Sequence, residues 1–137
     1  MRIFASGAAV LAAVTAVAST GQAAPYSKEG CKIDVPADWV ASKTRIARPD
    51  KKVWASLLQA PTTAEAVNLE LSLKAVKVSE DAKQVTLLST ASYGGLTNKQ
   101  YHVVTKSSPA CLADVTAPAG PDEALAKSVA HTVALAR

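Results

Sequence analysis

The 137 residues carry fifteen Lys and Arg against eleven Asp and Glu, a net charge of +4, with 49% hydrophobic and only 4% aromatic residues. That length leaves room for one domain and not for two once an apolar leader is set aside. So few aromatics mean that Ala, Val and Leu must fill most of the core, with Trp39 and Trp54 as its large packing anchors.

Residues 1–23 have the three parts of a secretory signal peptide: a basic start at Arg2, an apolar core from Ala8 to Ala18, and Gly21-Gln22-Ala23 before the cut. The apolar core is well short of the ~20 residues that a bilayer demands, so no stable membrane insertion is expected. The mature domain is then 24–137. Export places Cys31 and Cys111 in an oxidising compartment, where they are expected to form one disulfide. The competing readings are a thiol nucleophile or metal ligands, and two cysteines with two distant histidines match no familiar zinc spacing.

Cys31 to Val35 reads as a short strand stopped by Pro36. Val40 to Lys52 has no consistent period and reads as a loop holding Lys43, Arg45, Arg48, Lys51 and Lys52 against the single acid Asp50. Such a loop attracts acidic partners, or it is a solvated connector. Nucleic acid is not expected, because no aromatics are interleaved for stacking. Val53 to Ala60 reads as a strand ended by Pro61.

Val67 to Val78 carries the cleanest alternation in the chain. Val67, Leu69, Leu71, Leu73 and Ala75 fall on one side, and Asn68, Glu70, Ser72 and Lys74 on the other. Its residues are also good helix formers, but a helix would scatter the three leucines around the cylinder. A strand with one buried face is therefore expected, paired as a hairpin with the strand before it. Ser79 onward reads as a helix, with Ser79 as N-cap and Glu80 and Asp81 in the first turn, ending before Tyr93-Gly94-Gly95. Lys99 to Lys106 and Cys111 to Ala117 read as two strands, and Asp122 to Arg137 as a terminal helix with Leu125, Val129, Thr132, Val133 and Ala136 on one side.

The expected fold is α+β: an antiparallel sheet covered by two helices, in the order β-β-β-α-β-β-α. The segment Val35-Pro36-Ala37-Asp38-Trp39, followed by a helix, a hairpin and a last helix reading Lys127-Ser128-Val129-Ala130, resembles the PsbP/Mog1-like α/β/α sandwich. The resemblance implies a non-catalytic binding or assembly factor and carries over no individual functional residue.

No nucleophile motif surrounds a serine or cysteine, His102 and His131 have no visible partner, and no His or Asp pair has metal-ligand spacing. No catalytic, cofactor-binding or metal-binding residue is nominated. The chain reads as a monomeric periplasmic or secreted binding module for a protein, with Lys43, Arg45, Arg48, Lys51 and Lys52 as the candidate contact and an acidic surface as its match. The runner-up is an inhibitor or immunity-type protein that blocks an exported enzyme; a small hydrolase comes third.

Overall fold

The computed structural model describes residues 22–136. The expected leader lies outside them except for Gln22 and Ala23. These already take part in the fold: Ala23 opens the first strand, and the Gln22 carbonyl accepts a hydrogen bond from Ala37 N.

Strand β1 (Ala23–Lys28) turns at Glu29-Gly30 into β2 (Cys31–Pro36). Both turn residues have positive φ, 54° and 80°, the backbone that a two-residue hairpin turn requires. The stretch expected to be a loop contains a small hairpin, β3 (Val40–Ala41) and β4 (Ile46–Ala47). Strand β5 (Trp54–Ala60) follows, close to expectation.

The next three elements reverse the sequence reading. Thr63–Ser72 is helix α1, and only after a turn does the chain extend as β6 (Val76–Glu80). The reason is local. Thr62 Oγ1 accepts from Glu65 N at 3.1 Å and donates toward Glu65 Oε2 at 3.3 Å, so Thr62-Thr63-Ala64-Glu65 has the residue pattern of a capping box and makes its N-cap bond just after Pro61. The period-two leucines were misleading, since Leu69, Leu71 and Leu73 are 44%, 45% and 63% exposed. The face that α1 buries is Ala66 and Glu70.

The segment expected to be a helix from Ser79 is the end of β6, a turn, and β7 (Gln84–Tyr93). Asp81 Oδ1 accepts from both Lys83 N and Gln84 N, which closes a tight turn in place of a helical first turn. The segment Val85-Thr86-Leu87-Leu88 then pairs along β8 (Leu96–Thr105). Strand β9 (Ala110–Pro118) and helix α2 (Glu123–His131) match expectation, although α2 ends sooner and gives way to β10 (Ala134–Leu135). The expected hairpin between Val53–Ala60 and Val67–Val78 does not exist: β5 lies between β4 and β9.

The seven-stranded antiparallel sheet runs β3-β4-β5-β9-β8-β7-β6, and a small sheet runs β10-β2-β1. The coarse expectation, α+β with mostly antiparallel sheet and two helices, therefore stands, while the order of elements does not. One face of the large sheet (Ala55, Leu57, Val103, Ala113, Val115) packs on Cys31, Ile33 and Val35 of β2 and on Ala126, Val129 and Ala130 of α2. The other face (Val85, Leu87, Val104, Leu112) packs on Ala66 of α1 and on Ala75. Burying side chains such as Leu87 or Leu112 contributes roughly 1.5–3 kcal/mol each. Cys31 and Cys111, both fully buried, form the disulfide with Cα atoms 5.7 Å apart, joining the small sheet to the large one. That bridge is the mark of an oxidising environment. Among the described residues no helix is long and apolar enough to cross a membrane.

Candidate functional site

Two places on the large sheet collect charged and polar side chains, and Trp54 borders both. The first is the β3–β4 hairpin with the residues that follow it. Its groove, about 520 Å³, is lined by apolar Val40, Ala47 and Trp54 and by basic Arg45, Arg48 and Lys51. The Arg45 guanidinium lies over the Trp54 ring at 4.1 Å, a cation–π contact that favours this pose of a long side chain.

The five basic residues singled out from the sequence do not act alike. Arg48 is held by two carboxylates: Nε and Nη2 donate to Asp50, and Nη1 and Nη2 donate to Asp122. Its charge is neutralised at home, and its pKa is driven well above the usual arginine value by the Asp122 and Asp50 hydrogen bonds. Asp50 and Asp122 are both held below the usual carboxylate range by Arg48. Lys43, Arg45, Lys51 and Lys52 are exposed and form no ion pair among the described residues. Lys51 takes φ 64°, and Lys52 N donates to Asp50 Oδ1, so the turn is tied to the same aspartate.

The second place was not legible in the sequence. His102 on β8 faces Asp114 on β9, its register partner, and its Nδ1 lies 2.5 Å from Asp114 Oδ1. Glu70 of α1 comes down on the same atom, with Oε1 3.2 Å from Nδ1. On the other side of the ring, Nε2 lies 2.8 Å from Ser89 Oγ on β7. His102 and Glu70 are 2% and 5% exposed, while the Asp114 and Ser89 side chains reach toward solvent. A neutral imidazole donating Nδ1–H to Asp114 and accepting from Ser89 satisfies both ring nitrogens. Glu70 is left over. Burial, and then the charge of Asp114, raise its carboxyl above the usual range, while His102 opposes that rise.

Beside Ser89 a shallow groove of about 200 Å³ runs along Trp54, Asn98, Gln100 and Thr116. His131, expected on an exposed helical face, is half-buried: its Nε2 lies 3.1 Å from Thr86 Oγ1 and its Nδ1 2.8 Å from the Lys127 carbonyl.

No family model matches the chain, and no curated protein matches it either. A protein of Bacteroides thetaiotaomicron VPI-5482, its crystal structure determined at 1.50 Å resolution, is similar in fold, with a TM-score of 0.50 at 15% sequence identity. The likeness covers 79% of this chain and 46% of that one, so this chain spans less than half of its neighbour's length. At that identity it speaks to the fold alone.

Proposed function

We propose that the protein is an exported, non-enzymatic binding module of the PsbP/Mog1-like kind, and that it receives an acidic segment of a partner protein in the β3–β4 groove. The observation that carries this reading is the Arg45 guanidinium laid on Trp54 in a groove also lined by Val40 and by Lys51, which forms no ion pair among the described residues. A cation stacked on an aromatic ring next to exposed apolar surface suits a partner that offers both a carboxylate and an apolar side chain. Val40, 63% exposed, lies on β3, one of the two edge strands of the large sheet, where a partner strand could add main-chain pairing to the side-chain contacts. An exported monomer placed in the periplasm or outside the cell fits the disulfide. The PsbP/Mog1 assignment draws support from a sheet flanked by a helix on each face and from the early Val35-Pro36-Ala37-Asp38-Trp39.

The test is capture of partners from a periplasmic or culture-fluid extract by the mature protein and by a Lys43→Glu/Arg45→Glu variant. Loss of a specific partner with the fold intact supports the reading, and undiminished capture removes the hairpin from consideration. Recovery of an exported enzyme whose activity falls on binding converts the module into an inhibitor or immunity-type protein.

A small hydrolase is the weaker reading. It rests on Ser89, His102 and Asp114 having the hydrogen-bond polarity of a serine relay. A relay has no use for a second carboxyl at Nδ1. Covalent labelling of Ser89 by a fluorophosphonate, abolished in His102→Gln, would move the hydrolase to first place.

A further inference from the structure

The surplus carboxyl is the feature that the binding reading leaves unexplained. Glu70 is 5% exposed, and among the described residues no hydrogen bond reaches its carboxyl: the His102 Nδ1 it faces at 3.2 Å lies nearer to Asp114, at 2.5 Å. Buried carboxylates are normally met by donors. From the geometry we infer that Glu70, His102 and Asp114 form a binding site for a divalent transition-metal cation of the zinc class, separate from the hairpin groove.

Three elements deliver the ligands: α1, β8 and β9 bring one atom each to within 4.8 Å of one another. Zinc bonds of 2.0–2.1 Å in a tetrahedron put ligand atoms about 3.3 Å apart. The separation of His102 Nδ1 from Glu70 Oε1, 3.2 Å, is already that edge. The Asp114 oxygen at 2.5 Å sits at hydrogen-bond distance, so it must withdraw by roughly 0.8 Å when the cation replaces the shared proton. Its side chain is 22% exposed and is the one member with room to move, and the same opening supplies an entry path and a fourth position for water.

Ser89 serves as a positioning residue. In the metal-bound form the imidazole carries its proton on Nε2 and donates it to Ser89 Oγ at the present 2.8 Å, which leaves Nδ1 as the ligand. One imidazole with two carboxylates is a hard-to-borderline donor set, suited to zinc ahead of a thiophilic ion.

The experiment uses the full mature chain, disulfide intact, stripped with chelator and titrated with zinc chloride at neutral pH by calorimetry, with stoichiometry checked by equilibrium dialysis. One equivalent should bind, and Glu70→Gln, Asp114→Asn and His102→Gln should each weaken it well over tenfold, with Ser89→Ala weakening it by about tenfold. His131→Gln is the control and should bind as wild type. Melting curves in chelator establish that each variant folds, and Asp114→Asn, on the solvent side, keeps the test open if Glu70→Gln does not. Substoichiometric binding, or binding that His131→Gln removes and Asp114→Asn leaves intact, overturns the proposal. Because the hairpin takes no part, partner capture and zinc binding can each fail independently.

Discussion

Arg48 and Asp122, 74 residues apart, form a two-bonded ion pair that moors the β3–β4 hairpin to the start of α2, with Nη1 to Oδ1 at 2.8 Å and Nη2 to Oδ2 at 3.0 Å. Asp122 spends its carboxylate on this contact and makes no side-chain cap on its own helix. Arg48→Ala and Asp122→Asn should each lower the melting temperature. The double variant should lose no more than Arg48→Ala alone, since that change already removes the Asp122 pair together with the Asp50 pair. Raising the salt concentration should shrink the difference from wild type, because the pair is partly exposed.

The Cys31–Cys111 bridge closes a loop with a sequence separation of 80. Replacing both cysteines with alanine should cost about 4–5 kcal/mol in the chain-entropy account. A urea titration read by tryptophan fluorescence measures it. A midpoint unchanged from wild type would show that the two sheets hold together without the bridge.

At the β1–β2 turn two costs compete in Gly30→Ala. A Cβ there would come within 2.5 Å of Gln59 Nε2, but that atom ends a flexible, exposed side chain and can step aside. The backbone cannot, because φ is 80°. The substitution should therefore cost about 1–2 kcal/mol, and Gln59→Ala in the same chain should not restore it.

Glu80 accepts hydrogen bonds from Lys106 and Lys77, which pull its pKa from 4.5 down to about 2. The folded state thus holds this proton less tightly than the unfolded state does. The contribution is complete above pH 4.5 and is lost as pH falls from there through about 2. Melting temperatures of wild type and Glu80→Gln should differ at pH 6 and converge near pH 2.

Leu71 projects into solvent from α1. Leu71→Lys should change stability by less than about 0.5 kcal/mol. A buried leucine such as Leu112 should cost about 2–5 kcal/mol on truncation to alanine. Denaturant midpoints of the two variants separate the helix from the strand that the alternation suggested.

Elements were legible where a single local signal stood unopposed. Pro36, Pro61 and Pro118 bound strands as expected, and Cys31 and Cys111 found each other. The terminal helix was marked by its acidic start and by the spacing of Leu125 and Val129, while Val133, expected on the same stripe, lies past its end. Around α1 two signals conflicted: the alternation of leucines and the Thr62-x-x-Glu65 capping box. The cap won, because it satisfies an orphan helix donor, Glu65 N, whereas alternation stabilises a strand only when a sheet buries one face of it. The buried cluster had no comparable signal. Glu70, His102 and Asp114 are spread over 44 residues and meet only through the β8–β9 register and the seating of α1. In the sequence, Glu70 looked like one more solvent-facing acid.

In the small sheet, β2 has β1 on one side and β10 on the other, with Ala134 opposite Lys32 and Leu135 opposite Cys31. The neighbour that completes this sheet is synthesised about a hundred residues after the hairpin it joins. During translation the Cys31 strand therefore waits with a bare edge, open to mispairing with other chains. A polypeptide threaded across a membrane before it folds escapes that hazard, since both flanking strands then arrive at β2 within the same folding event.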